Sequence, residues 1–217
     1  MRIAILCSDA THPVYPLLQQ WAKRHAAKHE IKLVQRKTEL LDGDILFLIS
    51  CHEIVGQDVR KLFKVSLVIH ASDLPQGRGW SPHIWQIVEG KNAILVTLLE
   101  AEDQVDSGAI WTQTMLNLEG HETYEEINQL LFLAELELMD FAVNNFGKVV
   151  PRQQDQRKPT YYRKRTPEDS KIDPYRSMAD QFDLIRVADP GRFPAFFDFR
   201  GHRYTLSIIK VRQNEQS

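Results

Sequence analysis

Three features of the 217-residue chain predict an α/β fold built on a mostly parallel sheet covered by helices. An uninterrupted apolar run at 45–49 and a second at 65–69, broken only by Ser66, have the pattern of strands buried on both faces, the environment of a parallel sheet. Around these runs apolar residues recur at helical spacing, as in Leu17, Leu18, Trp21, Ala22 and His25, so strands and helices alternate. Hydrophobic residues make up 43% of the chain and charged residues 26%, which suits one globular unit with a sizeable core and excludes disordered, coiled-coil and collagen-like chains.

Residues 2–7 are expected to form the first strand, and 8–13 (Ser-Asp-Ala-Thr-His-Pro) a loop feeding the first helix. Residues 31–34 make a short second strand, and a turn signal at 41–44 precedes the third, 45–49. Residues 55–63 are a short helical candidate with Val59, Leu62 and Phe63 inward, followed by a strand over 65–69 that ends at His70. The stretch 71–79, rich in Gly and Pro, reads as a loop without regular structure. Ser81 and Pro82 supply an N-cap and a first-turn proline for a helix through Ile84, Trp85, Ile87 and Val88, closed by Gly90. Strands over 93–99 and 109–116 flank an acidic turn, and Thr123 with Glu126 forms a capping box. The long helix behind that box carries the stripe Ile127, Leu130, Leu131, Ala134, Leu138, Phe141 and Ala142. Together these elements predict a Rossmann-like domain over 1–149.

Residues 150–217 form the second part. Residues 150–175 are poor in aliphatics and must lie across the first domain or be mobile, and a short helix follows with the stripe Met178, Phe182 and Ile185. Residues 195–199 and 204–209, joined through Arg200, Gly201, His202 and Arg203, read as a β-hairpin, which needs a surface to dock on. Its phenylalanines Phe196, Phe197 and Phe199 make a homodimer contact an expectation.

A net charge of −2 provides no global positive field for phosphate backbones, so nucleic acid is not expected as a partner. No apolar stretch approaches the roughly 20 residues needed to cross a bilayer, so no membrane is expected either. The N-terminus reads as a strand rather than a signal peptide, and the cytoplasm is the expected compartment. Two cysteines, Cys7 and Cys51, suit buried thiols, and no metal site is expected.

Ligands of open α/β sheets sit beyond the carboxyl ends of the strands, which selects the loops 8–13, 50–53 and 70–79. His70, at the end of a buried strand, suits a general base or equally a strand cap; Asp106 lies in a turn that could face it. Arg78 could reach an anion, His12, His52 and His83 are further polar candidates, and the basic run 163–165 could meet phosphates. Trp80, Trp85 and Trp111 could stack a heterocycle or simply fill the core.

Taken together, His70-Ala71-Ser72-Asp73-Leu74-Pro75-Gln76-Gly77-Arg78-Gly79 with Pro82 and Trp85 resembles the H-x-S-x-L-P-x-x-x-G signature of the folate-dependent formyltransferases. Val105-Asp106-Ser107-Gly108 resembles that family's second signature, an Asp-x-Gly turn between two strands, and residues 165–173 resemble the segment that follows its catalytic domain. The resemblance implies the formyltransferase fold and transfer of a formyl group from 10-formyltetrahydrofolate to a primary amine. It implies that His70 and Asp106 are catalytic and that the folate lies in a slot between Ser50, Cys51, His52, Glu53 and Glu100, Asp103, Val105, Asp106. The family normally carries an Asn two residues before the His as an oxyanion donor, where this chain has Val68. Losing such a donor costs about 3 to 4 kcal/mol, so Ser50, His52, Ser72 or a backbone N–H is expected to replace it.

The short tail and the charge favour a nucleotide-linked sugar over methionyl-tRNA as acceptor, and the segment 165–173 disfavours glycinamide ribonucleotide. The loop 8–16 and the run 79–85 resemble the sugar-nucleotide formyltransferases of pseudaminic acid synthesis, whose acceptor is the 4-amino group of a UDP-linked amino-dideoxy sugar. Under that resemblance Ser8, His12, Arg78, Gly79, Trp80, His83, Arg163 and Arg165 line the acceptor site, with the arginines on the pyrophosphate. A binding protein that has lost catalysis at Val68, or an enzyme acting on a carrier-bound amine, are the alternatives.

Overall fold

The computed structural model describes residues 1–155 and 158–211. The first strand, β1 (Arg2–Leu6), leads through a loop into α1 (Tyr15–His25), and β2 (Glu30–Val34) returns parallel to β1. The chain then crosses to the other edge of β1, where β3 (Gly43–Leu48) pairs in parallel. A single turn, α2 (Gln57–Arg60), connects to β4 (Phe63–His70), parallel to β3. Beyond the two-residue β5 (Arg78–Gly79) and α3 (Pro82–Val88), β6 (Ala93–Glu100) runs antiparallel to β4, and β7 (Ile110–Asn117) antiparallel to β6. The sheet order is therefore β2-β1-β3-β4-β6-β7. Strand addition reverses direction between β1 and β3, and the carboxyl ends at such a switch point form the crevice in which α/β proteins bind ligands.

One face of the sheet carries the larger core. Ile5, Phe47, Leu67 and Val96 meet Leu18 and Trp21 of α1, Ile87 of α3, and Leu131 and Met139 of α4 (Tyr124–Asn144). The Trp21 indole N–H donates to Asp140 at 2.6 Å, which joins α1 to α4. At the start of α4, Glu126 accepts the Thr123 backbone N–H at 2.8 Å, as the capping box requires. The opposite face holds a smaller cluster of Ala4, Leu6, Leu46 and Phe63, and near its carboxyl end Val68 packs on Leu74, Leu99 and Ile110.

The segment after residue 149 lies across the first domain. Arg152 and Ile110 exchange backbone hydrogen bonds of 2.7 and 2.9 Å, and β8 (Tyr161–Tyr162) pairs in parallel with β5. Arg186 of α5 (Phe182–Arg186) is fully buried, with ion pairs to Asp183 at 2.6 Å and Glu122 at 3.6 Å. The hairpin of β9 (Ala195–Phe199) and β10 (His202–Leu206) docks through the Phe196 carbonyl, which accepts the Ile172 N–H at 2.8 Å.

Several expectations shift. The helix expected over 55–63 shrinks to α2, because the Phe63 ring is taken into the sheet to cover Gly43; a Cβ there would sit 2.8 Å from it. Leu62 is consequently exposed, as are Leu130 and Met178, which fall at the solvent edges of their stripes. Ser81 adopts φ +45° and makes no side-chain cap, so Pro82 alone starts α3. The loop 71–79 ends in strand rather than irregular structure, since β8 supplies β5 with a partner. The hairpin turn is only Arg200-Gly201, both at positive φ as a two-residue turn demands, so His202 and Arg203 belong to β10 and residues 207–209 lie beyond it. Among the described residues no helix is long and apolar enough to cross a membrane.

Candidate active site

His70 closes β4 with 7% of its surface exposed, so the sheet fixes its backbone and the surrounding loops fix its ring. Its Nε2 lies 2.8 Å from the Gly77 carbonyl, and its Nδ1 lies 3.5 Å from Oδ2 of Asp106. A carbonyl can only accept, so the Nε2–H donates to Gly77, and Nδ1 is the nitrogen that faces the carboxylate. Asp106 sits at φ +53° in the turn before β7, and the same Oδ2 accepts the Gly79 N–H at 2.9 Å. Strain of this kind concentrates at functional sites, where surrounding structure must hold it.

That surrounding structure is largely the strap from the second part of the chain. The Gln154 side-chain amide donates to the carbonyls of Asp106 at 2.7 Å and Gly108 at 3.0 Å, while its oxygen accepts from Arg78 at 2.6 Å. Gly79 admits the strap because a Cβ there would lie 2.4 Å from the Tyr162 carbonyl. Gly108 likewise lets the Asp106 turn close onto β6, a Cβ there meeting the Glu100 carbonyl at 1.9 Å.

At the β1/β3 switch point, the Ser8 hydroxyl accepts the His52 backbone N–H at 3.0 Å and points to the Cys51 thiol at 3.6 Å. His12 accepts the Val14 N–H on Nδ1 at 3.2 Å, and its Nε2 lies 3.4 Å from the Ser50 hydroxyl. Burial, reinforced by the positive charge of Arg192, pushes His12 down to about 4; burial, with His70 and Arg165 nearby, does the same to His83. Both rings are neutral at neutral pH. Burial pushes the Cys51 thiol up, which keeps it protonated.

Of the two loops expected to flank the folate, the acidic turn lines an open cleft. The cleft, of about 320 Å³, is lined by Glu100, Glu102, Asp103, Gln104, Ser107, Gly108, Ala109 and Gln153. Residues 50–53 are anchored by their neighbours: Cys51 and His52 by Ser8, Ser50 by His12, and the Glu53 carboxylate by the Lys37 N–H at 2.7 Å. Arg60, which donates to the Val55 carbonyl at 2.9 Å, forms an ion pair with Asp103 of the acidic turn at 2.7 Å. Val105 is exposed beside the cleft, and Glu100 also accepts the Trp111 indole N–H at 3.0 Å, placing Trp111 in a structural role.

The basic residues also divide. Arg78 is buried, donates to Gln154 and Tyr161, and keeps its Nε without a partner among the described residues, so it braces the strap instead of presenting a fork to a phosphate. Arg163 pairs with both carboxylate oxygens of Asp169 and lies 4.8 Å from the Trp85 ring centre. Arg165 is held by the Asp169 carbonyl at 3.1 Å and the Ser170 hydroxyl at 3.2 Å, and its pKa is lowered by burial. Trp80 stays exposed, flanked by His52 at 6.4 Å and the Lys164 ammonium at 5.0 Å. Ser72, 1% exposed, is sealed beneath Gly77 and has no partner for its hydroxyl among the described residues. Two further polar positions escaped the sequence reading. Gln154 gave no signal, whereas Glu135, an acid on the apolar stripe of α4 that burial pushes up to about 8, could have been noticed there.

A family model described as formyl transferase matches residues 8–143. The methionyl-tRNA formyltransferase of Rickettsia prowazekii is 32% identical over 177 residues, covering 81% of this chain and 56% of that protein. The bifunctional polymyxin resistance protein ArnA of Wigglesworthia glossinidia brevipalpis is 28% identical over 192 residues, covering 81% of this chain and 29% of that protein. The chain thus spans about half or less of the length of these curated relatives. Among solved structures, the methionyl-tRNA formyltransferase from Clostridium thermocellum superposes with a TM-score of 0.82 at 21% identity, covering 98% of this chain and 94% of that one. A sugar N-formyltransferase from a Shewanella species gives 0.71 at 16% identity, covering 98% and 99%. HypX from Aquifex aeolicus in complex with tetrahydrofolic acid gives 0.75 at 19% identity, covering 96% of this chain and 37% of HypX. With the match of residues 8–143 spanning the switch-point loops, His70 and Asp106, the chain belongs to the formyl transferase family.

Proposed function

We propose that the protein moves the formyl group of 10-formyltetrahydrofolate to a primary amine, with the 4-amino group of a UDP-linked amino-dideoxy sugar as acceptor. The observation that carries the reaction is the buried His70–Asp106 pair at 3.5 Å at the carboxyl end of the sheet. The relative crystallised with tetrahydrofolic acid supports the choice of donor. Asp106 accepts a hydrogen bond from the incoming ammonium and draws off its proton, and His70 Nδ1 lies within reach of the same carboxylate. The free amine attacks the formyl carbon, forming the new C–N bond and an oxyanion. The adduct nitrogen gives up its second proton to solvent, collapse breaks the bond to N10 of the folate, and the proton first drawn from the ammonium by Asp106 passes to N10, leaving the formamide and tetrahydrofolate. The acidic cleft beside Asp106 is the proposed seat of the donor's ring system, and the switch point around Ser8, His12, Trp80 and His83 that of the acceptor.

The net charge of −2, which gives no field for RNA, supports a sugar acceptor. Methionyl-tRNA is the second reading, favoured by the 32% identity to the Rickettsia prowazekii enzyme.

A mass-spectrometric assay with 10-formyltetrahydrofolate, a panel of UDP- and dTDP-linked 4-amino sugars and methionyl-tRNA separates these readings. Gain of one CO by a sugar nucleotide, lost in His70→Ala, is the expected result; formylation of methionyl-tRNA alone would replace the acceptor. Absence of transfer to every acceptor, hydroxylamine included, would overturn the reaction.

A further inference from the structure

The oxyanion formed in formyl transfer needs hydrogen-bond donors already in place, and beside His70 the β4 strand offers none. The His70 Nε2–H is committed to the Gly77 carbonyl. The next residue back on the same face, Val68, is packed on Leu74, Leu99 and Ile110 and carries no polar atom. A side-chain donor must therefore come from a neighbouring strand. The parallel register of β3 with β4 ends with Leu48 opposite Val68, and Ser50 follows Leu48 by two residues as His70 follows Val68, so both sit at the carboxyl edge of neighbouring strands.

Ser50 has two properties suited to that role. It adopts φ +46° at the switch point, a conformation costly for any residue with a Cβ, and strain of this kind concentrates at functional sites. Its hydroxyl is also oriented. His12 Nδ1 accepts the Val14 N–H, so the proton of the neutral ring is on Nε2, 3.4 Å from the Ser50 oxygen. An Nε2–H can donate to Ser50 but cannot take its proton, which excludes a serine nucleophile activated by this histidine and leaves the Ser50 O–H free to donate elsewhere. The other hydroxyl and imidazole near His70 do not compete. Ser72 is sealed under Gly77, and His52 turns toward Trp80 at the surface.

We propose that Ser50 is the hydroxyl donor to the oxyanion at the formyl carbon, and that His12 is the positioning residue that turns this hydroxyl toward it. This inference rests on the formyl-transfer reading of the site. The Ser50 O–H bond stays intact throughout: the hydroxyl hydrogen-bonds the oxygen as charge develops and releases it on collapse. Burial keeps His12 neutral, which preserves the donor pattern across the neutral range.

The test is Ser50→Gly, which removes the hydroxyl while relieving the positive φ. Expected is a thermal midpoint equal to or above that of the parent, with kcat for the acceptor found in the panel down about 100-fold and the donor KM changed by less than about two-fold. His12→Ala should lower kcat in the same direction, and His12→Gln, which keeps an N–H of similar reach, should restore much of it. Val68→Asn added to Ser50→Gly should recover turnover by supplying a donor from β4. A parent enzyme that transfers formyl while Ser50→Gly keeps its kcat within about two-fold would overturn this inference and leave the reaction standing. Loss confined to KM would assign Ser50 to binding and overturn it as well. A parent with no transfer to any acceptor would overturn both.

Discussion

An imidazole with one N–H tied to a carbonyl has a single nitrogen left for chemistry, and in His70 that nitrogen faces Asp106. His70→Ala and Asp106→Asn should each lower kcat by about 10² to 10⁴, the usual weight of a positioned acid or base, with smaller changes in KM. Steady-state kinetics on the folded variants checks this, and retention of kcat in both would remove the pair from the reaction. These two residues were singled out by the two spaced signatures that carry them, since position alone left His70 equally readable as a strand cap and Asp106 as one acid of an acidic turn. The burial of Arg78 was not legible. An arginine between two glycines looks solvent-facing in one dimension, and the return of residues 152–155 and 158–162 sets Gln154 and Tyr161 against it. The same holds for Arg163, whose partner Asp169 lies on a short turn that no periodicity announces.

At the scale of elements, the strands and the long helix were readable because each carries enough residues to show a period. β5 and β8 have two residues apiece and show none, yet their pairing holds the strap against the active site. Gly79 is the weak point of that pairing. Gly79→Ala forces a Cβ into the Tyr162 carbonyl at φ +101°, and should cost about 1 to 3 kcal/mol in urea unfolding. Because the Gly79 N–H also holds Asp106, displacement of the order of 1 Å should lower kcat about 100-fold; an active Gly79→Ala would show that the strap does not position the carboxylate. The α5 contact is of a different kind. Arg186→Ala strands the Glu122 carboxylate in a buried site, and removing one partner of such a pair costs about 3 to 5 kcal/mol. Glu122→Gln in the same chain should recover part of that loss, since the orphaned charge goes with it. Equal denaturation midpoints for the single and double variants would show that burial of the ion pair contributes little.

For the whole molecule, the buried titratable groups set a stability profile whose two limbs have opposite origins. His12 and His83, pushed down to about 4 from 6.5, stay neutral in the fold while the unfolded chain binds their protons, and His29 is shifted the same way. Their contribution is fully present above pH 6.5 and is lost as the pH falls toward 4. Glu135, pushed up to about 8 from 4.5, keeps in the fold a proton that the unfolded chain has already released. Its effect is a loss of stability that grows as the pH rises from 4.5 to 8. Below pH 6.5 at least two histidine protons outweigh one carboxyl proton, so stability climbs with pH; above it Glu135 alone dominates among these groups and stability falls. Urea midpoints measured from pH 4.5 to 8 should therefore peak near 6.5. Glu135→Gln should leave the acid limb in place and flatten the alkaline one, the two proteins converging below about pH 4.5 where the carboxyl is neutral in both states. An alkaline limb of the same slope in Glu135→Gln would show that another group, not this carboxyl at the heart of α4, limits the fold above neutrality.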